Sequence, residues 1–195
     1  MPLNTPIILT WFRVALIPIF TVLFYFPPSF MPYEYQNEIG ALLFALGGIT
    51  DWLDGYLARR WNQTSSFGAF LDPVADKLLV AAALILLVEL SRAPAWLAVI
   101  IIGREITISA LREWMAQQGK NKSVAVAYIG KLKTAAQMIA IFLLLWYGPL
   151  PLLGWMPTMT VGTVALYLAG ILTIVSMVYY LRVAAQQFRE DDSEN

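Results

Sequence analysis

Residues 50–77 read TDWLDGYLARRWNQTSSFGAFLDPVADK, and in this stretch four aspartates, Asp51, Asp54, Asp72 and Asp76, fall inside or at the ends of two apolar runs. Asp51 and Asp54 are three apart and Asp72 and Asp76 four apart, so on helices each pair shares one face. Two consecutive helices can then aim four carboxylates at one point. A charge at the centre of a membrane helix costs about 3 kcal/mol, somewhat less near the end, and such residues are functional candidates by default. If the first helix leaves the membrane near Arg60, a rise of 1.5 Å per residue puts Asp54 roughly 9 Å and Asp51 roughly 13 Å below that end.

The surrounding sequence supports a membrane setting. The chain has 195 residues, of which 59% are hydrophobic and 13% charged, with a mean hydropathy of +0.65, far more apolar than an ordinary soluble domain. Six mostly apolar stretches, at about 8–27, 39–60, 71–91, 95–117, 128–147 and 160–182, are each near the ~20 residues that a spanning helix needs. The expected fold is therefore all-α: a polytopic integral membrane protein of six transmembrane helices with a polar, metal-containing cavity at the cytoplasmic side. One domain over 1–195 is expected, with an acidic tail from about Glu190 to Asn195 reading as a solvated, frayed end.

The loop charges set the orientation. The first loop carries Glu34 and Glu38, the third only Arg92, and the fifth, Gly148 to Pro157, none. Arg59, Arg60, Arg112, Lys120, Lys122, Lys131, Lys133, Arg182 and Arg189 lie in or beside the second loop, the fourth loop and the C-terminal end. The positive-inside rule places these in the cytoplasm, with both termini. The opening segment has no Lys or Arg before its apolar run, and Pro27-Pro28-Ser29 is not a small-x-small cleavage site, so no cleavable signal is expected. Trp11, Trp61, Trp96, Trp114, Trp146 and Trp155 fall near the expected interfaces, the pattern of an aromatic belt.

Composition also excludes chemistries. The chain has no Cys and no His, which removes disulfides, thiolate nucleophiles, His-based acid–base catalysis and the usual zinc sites. Thirteen basic and thirteen acidic residues give zero net charge, so there is no overall basic field for nucleic acid. Four carboxylates in a low-dielectric pocket repel one another unless cations neutralise them. All-oxygen ligands suit hard ions such as Mg²⁺ or Mn²⁺, and two such ions about 4 Å apart can neutralise a diphosphate and stabilise a leaving phosphate. Gly55 and Gly68 permit close approach of a helix or a phosphate. A plainer role, with the aspartates salt-bridged to Arg59, Arg60 and Lys77, explains neither the cost of intramembrane charge nor the repeated spacing.

The order Asp51-x₂-Asp54-Gly55-x₂-Ala58-Arg59-x₈-Gly68-x₃-Asp72-x₃-Asp76, eight positions across 26 residues, resembles the full signature of the CDP-alcohol phosphotransferases. Arg104-Glu105-Ile106, Ser109 to Ala116, Gly130-Lys131-Leu132-Lys133-Thr134 and the opening Asn4-Thr5-Pro6 with Leu9-Thr10 and Arg13 resemble the bacterial phosphatidylglycerophosphate synthase branch of that family. The likeness runs to about Gln137. It implies transfer of the phosphatidyl group from CDP-diacylglycerol to the 1-hydroxyl of sn-glycerol 3-phosphate, with release of CMP, in phospholipid biosynthesis. The same chemistry on another acceptor, such as inositol phosphate or serine, is the alternative. The resemblance further implies two divalent cations, Mg²⁺ or Mn²⁺, held by Asp51, Asp54, Asp72 and Asp76, with Asp76 also deprotonating the acceptor. It places CDP-diacylglycerol against Asn4, Thr10, Arg13, Gly55, Ala58, Arg59, Ser65 and Gly68. A homodimer pairing through the spans is implied as well.

For glycerol 3-phosphate the candidates are Arg104, Arg112, Lys131 and Lys133, on the runs flanking the fourth loop. Arg104 and Arg112 are eight apart and share a face. Arg104 lies about halfway down its run, too deep for a routine anchor, and needs an anionic partner there, for which Glu105 and Asp72 are available. Lys131 and Lys133 are two apart and point to different faces, with Lys131 favoured by the resemblance. Direct displacement at phosphorus is expected; inversion marks it, whereas retention marks a covalent route through Ser65 or Ser66. Intramembrane prenyltransferases also use Asp-x₂-Asp pairs with Mg²⁺, but on well-separated helices, unlike the single block here. Broken or repeated helices would support a cation carrier or channel, and the sequence shows neither.

Overall fold

Each apolar run folds as a helix, and several of the described boundaries carry a recognisable stop. The structure, a computed structural model, describes residues 5–61, 66–117, 127–151 and 154–194. Among them are six helices: α1 Thr5–Leu23, α2 Tyr33–Trp61, α3 Ser66–Glu89, α4 Ala95–Gln117, α5 Ala127–Trp146 and α6 Thr158–Glu194. Ser91 and Tyr147 take left-handed backbone conformations, each with φ of 57°, and reverse the chain after α3 and α5. After α3, the amides of Arg92 and Ala93 return to Leu87 O at 2.8 and 3.1 Å, closing carbonyls that the helix end leaves open. Pro94 and Pro157 stand immediately before α4 and α6, where a missing N–H costs nothing.

Three boundaries differ from the hydropathy reading by more than four residues; one is the start of α3, at Ser66 rather than near 71. The helix α2 starts at Tyr33 rather than near 39, because its polar first turn is held by side chains: Gln36 Nε2 donates to Phe26 O and Met31 O at 2.9 and 2.7 Å. At the other end of the chain, α6 runs on helically to Glu194, well past the apolar portion Thr158–Arg182. Adding a residue to a formed helix costs far less than starting one.

The central helix is α3, which packs on α1, α2, α4 and α5, while α5 and α6 share the most extensive contact. The core runs through Leu16, Phe20, Phe44, Leu79, Leu84, Leu87, Ile101, Ile141 and Leu144. Two hydroxyls bond back to their own helices, Thr21 to Ile17 O and Ser176 to Thr173 O, and so need no partner across an interface, whereas Thr173 Oγ1 is buried without a hydrogen-bond partner. Among the described residues one helix, Thr158–Arg182, is long and apolar enough by itself to cross a membrane, and Leu9–Leu23 and Leu132–Trp146 are shorter apolar helices. A wide apolar surface stays exposed, including Ile19, Leu42, Ile85, Val99, Ile139, Leu168 and Ile171. A patch of this kind marks a face made for lipid or for another protein.

Arg92 ties together the end of the bundle away from the aspartates. Its Nη1 donates to Leu144 O and Leu145 O at 3.1 Å each, its Nη2 donates to Asn37 Oδ1 at 2.8 Å, and the guanidinium lies 4.0 Å from the Tyr147 ring centroid. A cation on the last carbonyls of α5 complements the negative end of that helix. Beside it Tyr33, Glu34, Asn37, Glu38, Arg92 and Trp146 line an open cavity of about 790 Å³.

Candidate active site

The opposite end of the bundle gathers charges from five helices. Asp51 stands on α2 and Asp76 ten residues into α3, about 20 Å of helix from the Arg92 end. Arg13 of α1 is fully buried, and its Nη1 donates to Asp51 Oδ1 at 2.7 Å, while the Asp51 side chain keeps 43% of its surface exposed. Asp76 lies within electrostatic range of Asp51, Arg13, Glu105 and Lys77. Thr10, one turn before Arg13 and so on the same face, is buried as well.

A second charged group adjoins the first. Glu105 of α4 accepts from Arg104 Nη1 at 3.4 Å, and its same oxygen, Oε1, accepts from Lys133 Nζ of α5. Arg104 and Lys133 are 9% and 2% exposed, and Lys133 also lies within electrostatic range of Asp76. The Tyr180 ring of α6 stands 5.7 Å from Arg104 Cζ, within the range of a cation–π contact. Arg104 Nε is buried without a hydrogen-bond partner, as is Oε1 of Gln137, one turn after Lys133 on α5, so hydrogen-bonding capacity is left unused beside this group.

Of the expected site residues, the structure brings together Arg13, Asp51, Asp76, Arg104 and Lys133. Asp54 and Gly55 follow Asp51 along α2, with Ala58 and Arg59 one turn on; Gly68 and Asp72 precede Asp76 on α3, Arg112 continues α4, and Lys131 opens α5. The side chains of these residues lie outside the described set. Asn4, Ser65, Lys120 and Lys122 lie outside the described residues altogether. Arg104 has Glu105 for its anionic partner, one of the two candidates its depth required. Arg13, expected against the donor, lies on Asp51. The sequence reading did not place Glu105 or Tyr180 in the site. Two adjacent opposite charges midway along an apolar run were a signal for Glu105, whereas nothing in the sequence marks Tyr180.

The described donors fit a hard divalent cation in kind. Asp51 and Asp76 offer carboxylate oxygens from α2 and α3, the hard donors that suit such an ion, and the chain has no Cys or His to offer sulfur or imidazole. Among the described side chains no three metal-binding groups converge, and Asp54 and Asp72 stand outside that set.

Residues 3–184 match the family described as CDP-alcohol phosphatidyltransferase. Proteins called CDP-diacylglycerol--glycerol-3-phosphate 3-phosphatidyltransferase are close in sequence. The one from Pectobacterium atrosepticum is 50% identical over 193 residues, covering 97% of this chain and all of its own. The Haemophilus influenzae protein is 52% identical over 94% of this chain and 95% of its own, and that of Salmonella typhimurium 50% identical over 94% and 96%.

Proposed function

The chain belongs to the CDP-alcohol phosphatidyltransferase family, and on that premise we propose that it transfers the phosphatidyl group of CDP-diacylglycerol to the 1-hydroxyl of sn-glycerol 3-phosphate. The products are phosphatidylglycerophosphate and CMP, and the reaction belongs to phospholipid biosynthesis. Glycerol 3-phosphate, rather than inositol phosphate or serine, is the acceptor in the name shared by relatives about half identical along almost the whole chain. One structural observation carries the reading: carboxylates on α2 and α3 stand beside a buried Arg104–Glu105–Lys133 group on α4 and α5.

The side chains divide the work. Asp51, Asp54, Asp72 and Asp76 would hold two divalent cations, Mg²⁺ or Mn²⁺, which neutralise the diphosphate and stabilise the departing CMP. Arg13 offsets the Asp51 charge and fixes that carboxylate on α2. Gly55, Ala58, Arg59, Ser65 and Gly68 bound the cytidine diphosphate, where the Arg59 guanidinium can grip phosphate with two parallel hydrogen bonds, and Asn4 and Thr10 close the pocket from the first helix. Arg104, Arg112, Lys131 and Lys133 hold the acceptor phosphate and set its 1-hydroxyl in line with the donor phosphorus. Asp76 takes the hydroxyl proton as the new O–P bond forms and the bond to CMP breaks. No residue becomes phosphorylated.

All six helices act as spans in this reading, with both termini and the site on the cytoplasmic side of a bacterial inner membrane and a second copy paired through the helices. The cations of the second and fourth loops and the exposed apolar faces support that placement. The test uses purified protein in detergent with CDP-diacylglycerol and Mg²⁺. CMP is released with glycerol 3-phosphate and not with inositol phosphate or serine; absence of CMP with every acceptor overturns the reading.

A further inference from the structure

Glu105 sits where two buried cations would otherwise face each other. Arg104 and Lys133 come from different helices, are almost wholly enclosed, and converge on one oxygen of one carboxylate. Two like charges held this close in a low-dielectric setting repel strongly, and a buried cation with no anion beside it is left uncompensated. Glu105 prevents both outcomes. Its Oε1 binds the lysine ammonium and the guanidinium together, and its side chain remains 23% exposed rather than sealed in. The group as a whole carries one net positive charge, with Arg104 Nε still unpaired and Tyr180 flanking the guanidinium.

We infer that Glu105 is the positioning residue of the acceptor site, holding Arg104 and Lys133 at a fixed separation so that they meet a phosphate monoester without rearranging. The inference rests on the reading that these two cations bind the acceptor phosphate. Preorganised cations cost little when the anion arrives, so the effect belongs in acceptor affinity and not in the handling of the lipid donor. Glu105 itself is not expected to touch the substrate, since a carboxylate repels a phosphate; it acts through its two neighbours.

Steady-state kinetics of four variants tests this. Arg104→Ala and Lys133→Ala probe the underlying reading, and each raises KM for glycerol 3-phosphate more than tenfold; if neither moves it, the acceptor-site assignment fails, and this inference with it. Glu105→Gln keeps the shape and removes the charge. It raises KM for glycerol 3-phosphate at least tenfold, while KM for CDP-diacylglycerol stays within twofold. Glu105→Asp, which retains the carboxylate on a shorter arm, restores at least a third of the lost acceptor affinity, and it serves alone if the glutamine variant does not fold, giving a rise of about threefold over the parent. Placing Glu105→Gln on Lys133→Ala costs less than Glu105→Gln alone, because the lysine and the repulsion that Glu105 screens are already gone and only Arg104 is left for it to hold. An unchanged or lower KM for the acceptor in Glu105→Gln, or a fall in kcat with both KM values unmoved, overturns the inference while leaving the acceptor site standing.

Discussion

At the scale of single residues, the two described aspartates have different surroundings and predict different phenotypes. Asp76 stands among charges of both signs on α1, α2, α3 and α4, and the proposed mechanism gives it the acceptor proton. Asp76→Asn keeps the side-chain volume and a ligating oxygen but cannot take a proton. Binding of CDP-diacylglycerol is retained and turnover falls by at least a hundredfold; near-normal turnover would remove Asp76 from the role of base. For Asp51 the telling neighbour is Arg13. Breaking a buried ion pair costs about 3–5 kcal/mol, but Asp51 is 43% exposed, so about 1–2 kcal/mol is the expected loss for Arg13→Gln. A divalent cation can replace the missing positive charge. Thermal unfolding in detergent should therefore show Arg13→Gln melting lower than the parent without metal and gaining more from added Mg²⁺, whereas equal gains would mean that Arg13 does not share the charge of the metal site. These pairings were only partly legible beforehand. An arginine inside an apolar helix announces that it has an anionic partner, but the identity of that partner depends on how two helices are rotated.

At the scale of elements, the α5–α6 contact has a specific weak point. A Cβ on Gly162 would lie 2.9 Å from Leu144 Cγ and 3.1 Å from Leu143 Cβ, and both leucines are buried. Those atoms are close to the backbone and cannot swing away, so the helices must part. Gly162→Ala is expected to cost about 1–3 kcal/mol through overpacking and to lower the melting temperature without a selective effect on either KM. Gly170→Ala meets only the tip of the Leu97 side chain, which has rotamer freedom to yield, so its cost is smaller. If Gly162→Ala melts like the parent, the close approach of α5 and α6 at that level is not required. The positions of these helices were readable from hydropathy to within a few residues, except at the end of α6, at the start of α3 and, most plainly, at the start of α2. There the polar residues Gln36 and Asn37 are buried, and a hydropathy window counts them as loop.

At the scale of the whole molecule, six helices of alternating direction put the carboxylates at one end and Arg92 at the other. The chain contains no cysteine, so a single introduced thiol reports its own location with no background. In intact spheroplasts a membrane-impermeant maleimide is expected to label Glu34→Cys and Trp155→Cys, while Lys120→Cys reacts only after permeabilisation. Labelling of Lys120→Cys from outside would invert the topology, and with it the cytoplasmic placement of the site. Much of this architecture was determined by the sequence alone. A run of about 20 apolar residues and a spacing of three or four between aspartates are local properties, and the energetic cost of violating them is paid by the helix itself. Tertiary structure decided the partners. Arg13 meets Asp51 across 38 residues of chain and Lys133 meets Glu105 across 28, contacts set by the packing and rotation of whole helices. For the same reason Tyr180, on a helix that reads as nothing but hydropathy, comes to flank Arg104.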